Sequence, residues 1–132
     1  MPAAIIITLD MKKCRIRIHK TTLELLNRPK NIHILINPAE YKLVIRPTPP
    51  DIKDSLKISY KADSDCEFYS TELMEQLSRL RPELSTSRTY RIIGEIIEEK
   101  RIALFDINKA VIYDGPPTND SKDHTRSSPN EC

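Results

Sequence analysis

The chain has 132 residues, 39% of them hydrophobic and 30% charged, with a formal net charge of +2 and a mean hydropathy of −0.47. Those totals describe one water-facing domain, or two intimately joined halves, with a modest core. They exclude a membrane protein built on apolar helices. The longest amino-terminal apolar run, residues 2–7, is too short to span a bilayer and lacks the flanks of a signal peptide, so the expected location is the cytoplasm.

In chain order, residues 3–9 (AAIIITL) read as a strand, and Asp10 and Met11 open a turn. A basic strand follows, in which Ile16 and Ile18 alternate with Arg15, Arg17 and His19, the period-2 signal of a strand with one buried face. Thr21 or Thr22 is placed to cap a short helix, TLELLN, which Pro29 ends by disfavouring helical geometry at the residue before it. NIHILIN and KLVIR then alternate across a turn at residues 37–40, giving a hairpin. The unit over residues 10–47 is β-α-β-β. Alone it is too small to bury both faces of its hairpin, so it needs a partner.

Residues 47–51 (PTPPD) form a stiff connector, because successive prolines fix φ and remove backbone donors. SLKISYKA, residues 55–62, reads as another strand, and residues 63–65 as a turn. The order of elements then recurs. CEFYS is a short strand, and TELMEQLSRL is a helix with Ser70 or Thr71 as N-cap and Leu73, Met74, Leu77 and Leu80 at helical spacing. Arg81 and Pro82 stop it, and SRTYRIIGEII and RIALFDI make a second hairpin with Gly94 at a bulge or close backbone contact. Element order, helix stop and hairpin all match, which favours a diverged duplication over chance recurrence. The expected organisation is one pseudo-symmetric domain over residues 1–114, made of unit one (10–47), a connector (48–65) and unit two (66–112). Residues 115–132, rich in Pro, Ser, Asn and Asp, are expected to be a disordered tail.

The stretch RIRIHKTTLELLNRPKNIHILINPAEYKLVIRP resembles the AbrB/SpoVT/MraZ swapped-hairpin family. Arg15-Ile16-Arg17-Ile18 matches the family's Arg-bearing strand, Leu23 and Leu26 its short helix, and Lys42-Leu43-Val44-Ile45 its last strand. The resemblance implies an α+β, strand-dominated swapped-hairpin barrel, here built from two β-α-β-β units in one chain. It also implies double-stranded DNA binding, transcription regulation and a homo-oligomer.

Charge points the same way. Residues 1–50 hold nine Lys and Arg against three acids, whereas the remainder is mildly acidic. Such clustering fits a polyanion or an acidic partner surface, or else cations that merely solvate a strand face. The candidate DNA-contacting residues are Lys12, Lys13, Arg15, Arg17 and Lys20, since phosphates need closely spaced cations and displaced counterions drive the binding. The alternative is an antitoxin-like protein-interaction or assembly module of the same fold with no DNA contact. Absence of Trp and scarcity of Phe argue against single-stranded nucleic acid. His19, His33, His124 and the three cysteines show no paired-ligand spacing, so neither metal nor cofactor is expected. Cys14, Cys66 and Cys132 are odd in number and far apart, which fits a reducing compartment and no disulfide framework. Cys14, between two cations, reads as a redox candidate or a small core residue. With glycine only at positions 94 and 115 and no nucleophile–base constellation, an enzyme is not expected.

Overall fold

Alternating apolar side chains dictate a sheet with one buried face, and the computed structural model, which describes residues 4–60 and 65–113, is dominated by one. Its strands are β1 (Ala4–Asp10), β2 (Arg15–Ile18), β3 (Asn31–Asn37), β4 (Lys42–Pro47), β5 (Leu56–Lys57), β6 (Cys66–Tyr69), β7 (Thr89–Ile97), β8 (Ile102–Asp106) and β9 (Val111–Ile112). Two helices, α1 (Lys20–Leu25) and α2 (Thr71–Leu80), interrupt them. The strands join in the order β5-β3-β4-β8-β7-β1-β2-β6, every pairing is antiparallel, and β9 pairs with β7. This curled sheet is a half-barrel, so the chain is an α+β, strand-dominated fold.

The concave face carries the core. Ile5, Ile7 and Leu9 of β1, Ile16 and Ile18 of β2, Leu43 and Ile45 of β4, Ile92 of β7 and Phe105 of β8 are buried there. Each contributes about 1.5–3 kcal/mol of transfer free energy on leaving water. Leu23 and Leu26 of the first helical segment and Leu73, Met74 and Leu77 of α2 pack against the same cluster. Seven registered pairs between β1 and β7, from Ala4↔Glu95 to Asp10↔Thr89, join the start of the chain to its second hairpin.

Local chemistry explains the element ends. The Ser70 hydroxyl accepts a hydrogen bond from the Leu73 amide at 3.1 Å, the expected N-cap of α2. The expected cap of α1 is corrected: the helix begins at Lys20, His19 holds the cap position without a side-chain bond, and the Thr22 hydroxyl is buried with no partner. Asp10 and Asp106 each cap a single 3₁₀ turn, Met11–Lys13 and Ile107–Lys109. Of the strand expected over residues 55–62, the described residues keep β5 alone, whose register partners on β3 are Asn31 and Ile32, and residues 61 and 62 lie outside the described residues. Cys14 is buried within the core cluster, the place of a small core residue. The expected turn at residues 63–65, for the most part, the tail at 115–132 and His124 lie outside the described residues. No helix among the described residues is long and apolar enough to cross a membrane.

Gly94 shows how tightly β7 and β8 meet. It pairs in regular register with Phe105, with no bulge, and a Cβ added there would collide with the Leu104 carbonyl oxygen and the Phe105 ring. Phe105 is fully buried and cannot swing away. Gly94→Ala is expected to cost about 1–3 kcal/mol through overpacking. A lowered urea midpoint checks this, and a midpoint equal to the native one would show that the β7–β8 contact is looser than described.

Candidate nucleic-acid interface

The convex face of β6, β2, β1 and β7 is where the basic strand arrives. Burial of Ile16 and Ile18 on the concave side turns Arg15 and Arg17 outward. Register then decides their neighbours. Glu67 of β6, Arg17 of β2, Thr8 of β1 and Arg91 of β7 form one row across the sheet, and Tyr69, Arg15, Asp10 and Thr89 form the next.

Both arginines are held by acids. The guanidinium of Arg17 donates twice to Glu67 Oε2, from Nε at 3.0 Å and from Nη2 at 2.6 Å. Arg15 donates to Asp10 Oδ2 at 3.0 Å and lies 3.7 Å from Glu67. Partial burial works against the charge on Arg15, but Asp10 and Glu67 outweigh it and raise its pKa above the ordinary value. The two arginines are therefore fixed in place and largely neutralised within the sheet. Lys20 stands at the opposite end of β2 from Lys12 and Lys13, and its backbone amide donates to Asp65 at 3.0 Å. The five sequence candidates thus do not form a single cluster.

A different set of cations does converge. Met11 donates its amide to the Arg88 carbonyl at 3.1 Å, which lays the Met11–Lys13 turn against the entry to β7. Lys12, Lys13 and Arg88 are all exposed at that end of the half-barrel. The acid of the turn, Asp10, is committed to Arg15 and to the Lys13 amide. Arg91, one row further along β7, stacks on Tyr113 with its guanidinium carbon 3.7 Å from the ring centroid. Arg88 and Arg91 were not singled out from sequence, because nothing in SRTYR says that it lies beside a turn almost 80 residues upstream. Their spacing, on opposite sides of the buried Tyr90, was the one local signal.

Two further titratable groups make structural contacts. The Cys66 thiol donates to the Ser59 carbonyl at 3.9 Å, and burial together with Asp65 pushes its pKa up, so it is a poor nucleophile. The Tyr60 hydroxyl donates to the Pro29 carbonyl at 2.6 Å beneath the Arg28 guanidinium. Among the described residues no three His, Cys, Asp or Glu side chains are grouped to hold a metal ion. No protein-family model, no curated protein and no solved structure matches the chain.

His19 closes the row beyond Arg17. Its Nε2 shares a hydrogen bond with Thr8 Oγ1 at 3.1 Å, and its Nδ1 lies 3.6 Å from Asp65. Burial lowers its pKa, Asp65 opposes the shift, and Arg91 and Arg17 add to it. A folded-state pKa below the unfolded one means that the unfolded chain binds the proton first as pH falls. His19 is thus expected to remove stability as pH drops below about 6.5, the ordinary histidine value. His19→Gln should flatten that limb of a stability-versus-pH curve, and an unchanged limb would assign it to other groups.

Proposed function

We propose that the chain is a double-stranded DNA-binding protein, acting as a transcriptional regulator, whose contact surface is the basic end formed by the Met11–Lys13 turn and the entry to β7. The observation that carries this reading is the Met11–Arg88 bond, which gathers Lys12, Lys13 and Arg88 on one exposed edge. Phosphate recognition needs closely spaced, accessible cations more than it needs any particular sequence motif. Arg15 and Arg17, paired with acids, act behind that edge as a rigid support. Arg17 approaches a phosphate only by exchanging Glu67 for it.

The finer architecture belongs to the same proposal. We read the half-barrel as two diverged, interleaved β-α-β-β copies in the swapped-hairpin manner. In support, β2 pairs with β6 and β4 with β8, each the counterpart of its neighbour, and the β1–β7 ladder is matched by β5–β3. Tyr41 and Arg101 hold the same place in the two hairpin turns, and both adopt left-handed backbone, at φ 57° and 53°. A single basic end per chain is a small footprint, so a homo-oligomer presenting several is part of the reading.

A second reading, the protein-interaction module, is favoured by the mixed charge of the rows through Arg15 and Arg17 and by exposed apolar side chains at Ile93, Val111 and Ile112. Titration of a labelled duplex at two salt concentrations separates the two. Lys12→Ala/Lys13→Ala/Arg88→Ala is expected to abolish binding at moderate salt and to reduce the salt slope by about 0.9 for each phosphate that the variant leaves unneutralised. Glu67→Gln should strengthen binding, by at most about fivefold, by releasing Arg17. If the native chain binds no duplex even at low salt, the DNA reading is lost and the module reading takes its place.

A further inference from the structure

The half-barrel has a seam. On one side of it lies β3, and on the other lie β6 and the first turns of α2. Between them is a cleft of about 430 Å³, within the size range of ligand sites.

The backbone of β3 tells what kind of occupant would suit it. Ile58 donates to the Lys30 carbonyl at 2.9 Å, whereas Thr48 donates to the Asn31 carbonyl at 3.0 Å. Even-numbered residues therefore hydrogen-bond toward β5 and odd-numbered ones toward β4, an alternation that antiparallel pairing enforces along the strand. Ile34 and Ile36 accordingly direct their N–H and C=O groups to the β5 side. But β5 registers only with Asn31 and Ile32, and among the described residues no strand pairs with Ile34 or Ile36 on that side. Asp54, left-handed at φ 68°, lies just before the point where β5 takes up its pairing. The result is an open strand edge lining a cleft, the arrangement that strand addition exploits.

Side chains refine the choice. Ile16, Phe68 and Leu73 give the far wall an apolar surface, and Leu56 adds to it at the β5 end. The charged residues of the lining are Asp54 and Glu72, both exposed, and no Lys or Arg lines the cleft. His33 also lines it, with its Nδ1 buried and unpartnered. Apolar sockets beside an acidic rim match a chain that alternates apolar with basic residues.

We propose that this cleft binds an extended segment of a partner protein, added as a strand to the free edge of β3, with apolar side chains at alternate positions and a lysine or arginine between them facing Asp54 and Glu72. The site is separate from the basic end, so this activity stands or falls independently of DNA binding.

The test uses the full chain, ¹⁵N-labelled, with three acetylated and amidated hexapeptides in which valine alternates with lysine, glutamate or serine. The valine–lysine peptide is expected to bind with a Kd below about 1 mM and to slow hydrogen exchange at the Ile34 and Ile36 amides, and the glutamate peptide to bind at least about tenfold more weakly. Asp54→Asn/Glu72→Lys, which changes two exposed positions and keeps at 54 a residue that tolerates left-handed backbone, should fold normally and reverse that preference. The proposal is overturned if no peptide protects the Ile34 and Ile36 amides, or if the charge-reversed variant keeps its preference for lysine. It is equally overturned if those amides become protected in the protein alone as its concentration rises, since the occupant is then a second copy.

Discussion

Seven residue pairs tie Ala4–Asp10 to Thr89–Glu95, and both faces of the half-barrel depend on that register. On the concave side it sets Ile7 opposite Ile92, Leu9 opposite Tyr90 and Ile5 opposite Gly94, and all three β1 side chains, Tyr90 and Ile92 are buried. On the convex side it sets Thr8 between Arg17 and Arg91. Side chains alternate with period 2, so a slip of one residue would expose the isoleucines and bury the arginines together. The same ladder carries the Met11–Arg88 bond at its end, and hence the position of the basic turn. Core and candidate interface are two readings of one alignment of strands.

Charge on the convex face follows from the neighbouring ladder. β2 meets β6 with Arg17 opposite Glu67, and the two hydrogen bonds from the guanidinium to one Glu67 oxygen span a partly exposed surface. Exposed ion pairs of this kind add little to stability. Their larger effect is to fix side chains and cancel field. A strand with two arginines in four residues thus presents less positive potential than its composition suggests.

What sequence made legible, and what it hid, divides along the same line. Alternation in RIRI, NIHILIN and TYRIIGEII located strands and their buried faces, because that period is a local property. The Ser70 cap and the stops at Pro29 and Pro82 were equally local. Partners across strands were not. Glu67 lies 50 residues from Arg17, and only tertiary pairing makes it a neighbour. Turn conformation was hidden for another reason. The described residues include one glycine, Gly94, and left-handed backbone falls instead on Cys14, Asn27, Arg28, Tyr41, Asp54 and Arg101. Asn and Asp tolerate that region through local hydrogen bonding, but for the others it costs roughly 1–2 kcal/mol each. Side-chain identity alone gives no hint of it.

That strain is informative about the hairpins. Tyr41 and Arg101 sit in equivalent turns, and each is secured from outside its own hairpin. The Ile107 amide donates to the Tyr41 carbonyl at 2.8 Å, and the Arg101 guanidinium donates to the Leu26 carbonyl at 3.1 Å. Each bond crosses from one half of the chain to the other, so neither turn is determined by its own hairpin alone. A β-α-β-β unit expressed by itself would lose the external bond, the cross-half ladder and half of the core at once. The unfavourable turn geometry is therefore a property of the assembled half-barrel, and the two halves are interdependent at their tips as well as along their strands.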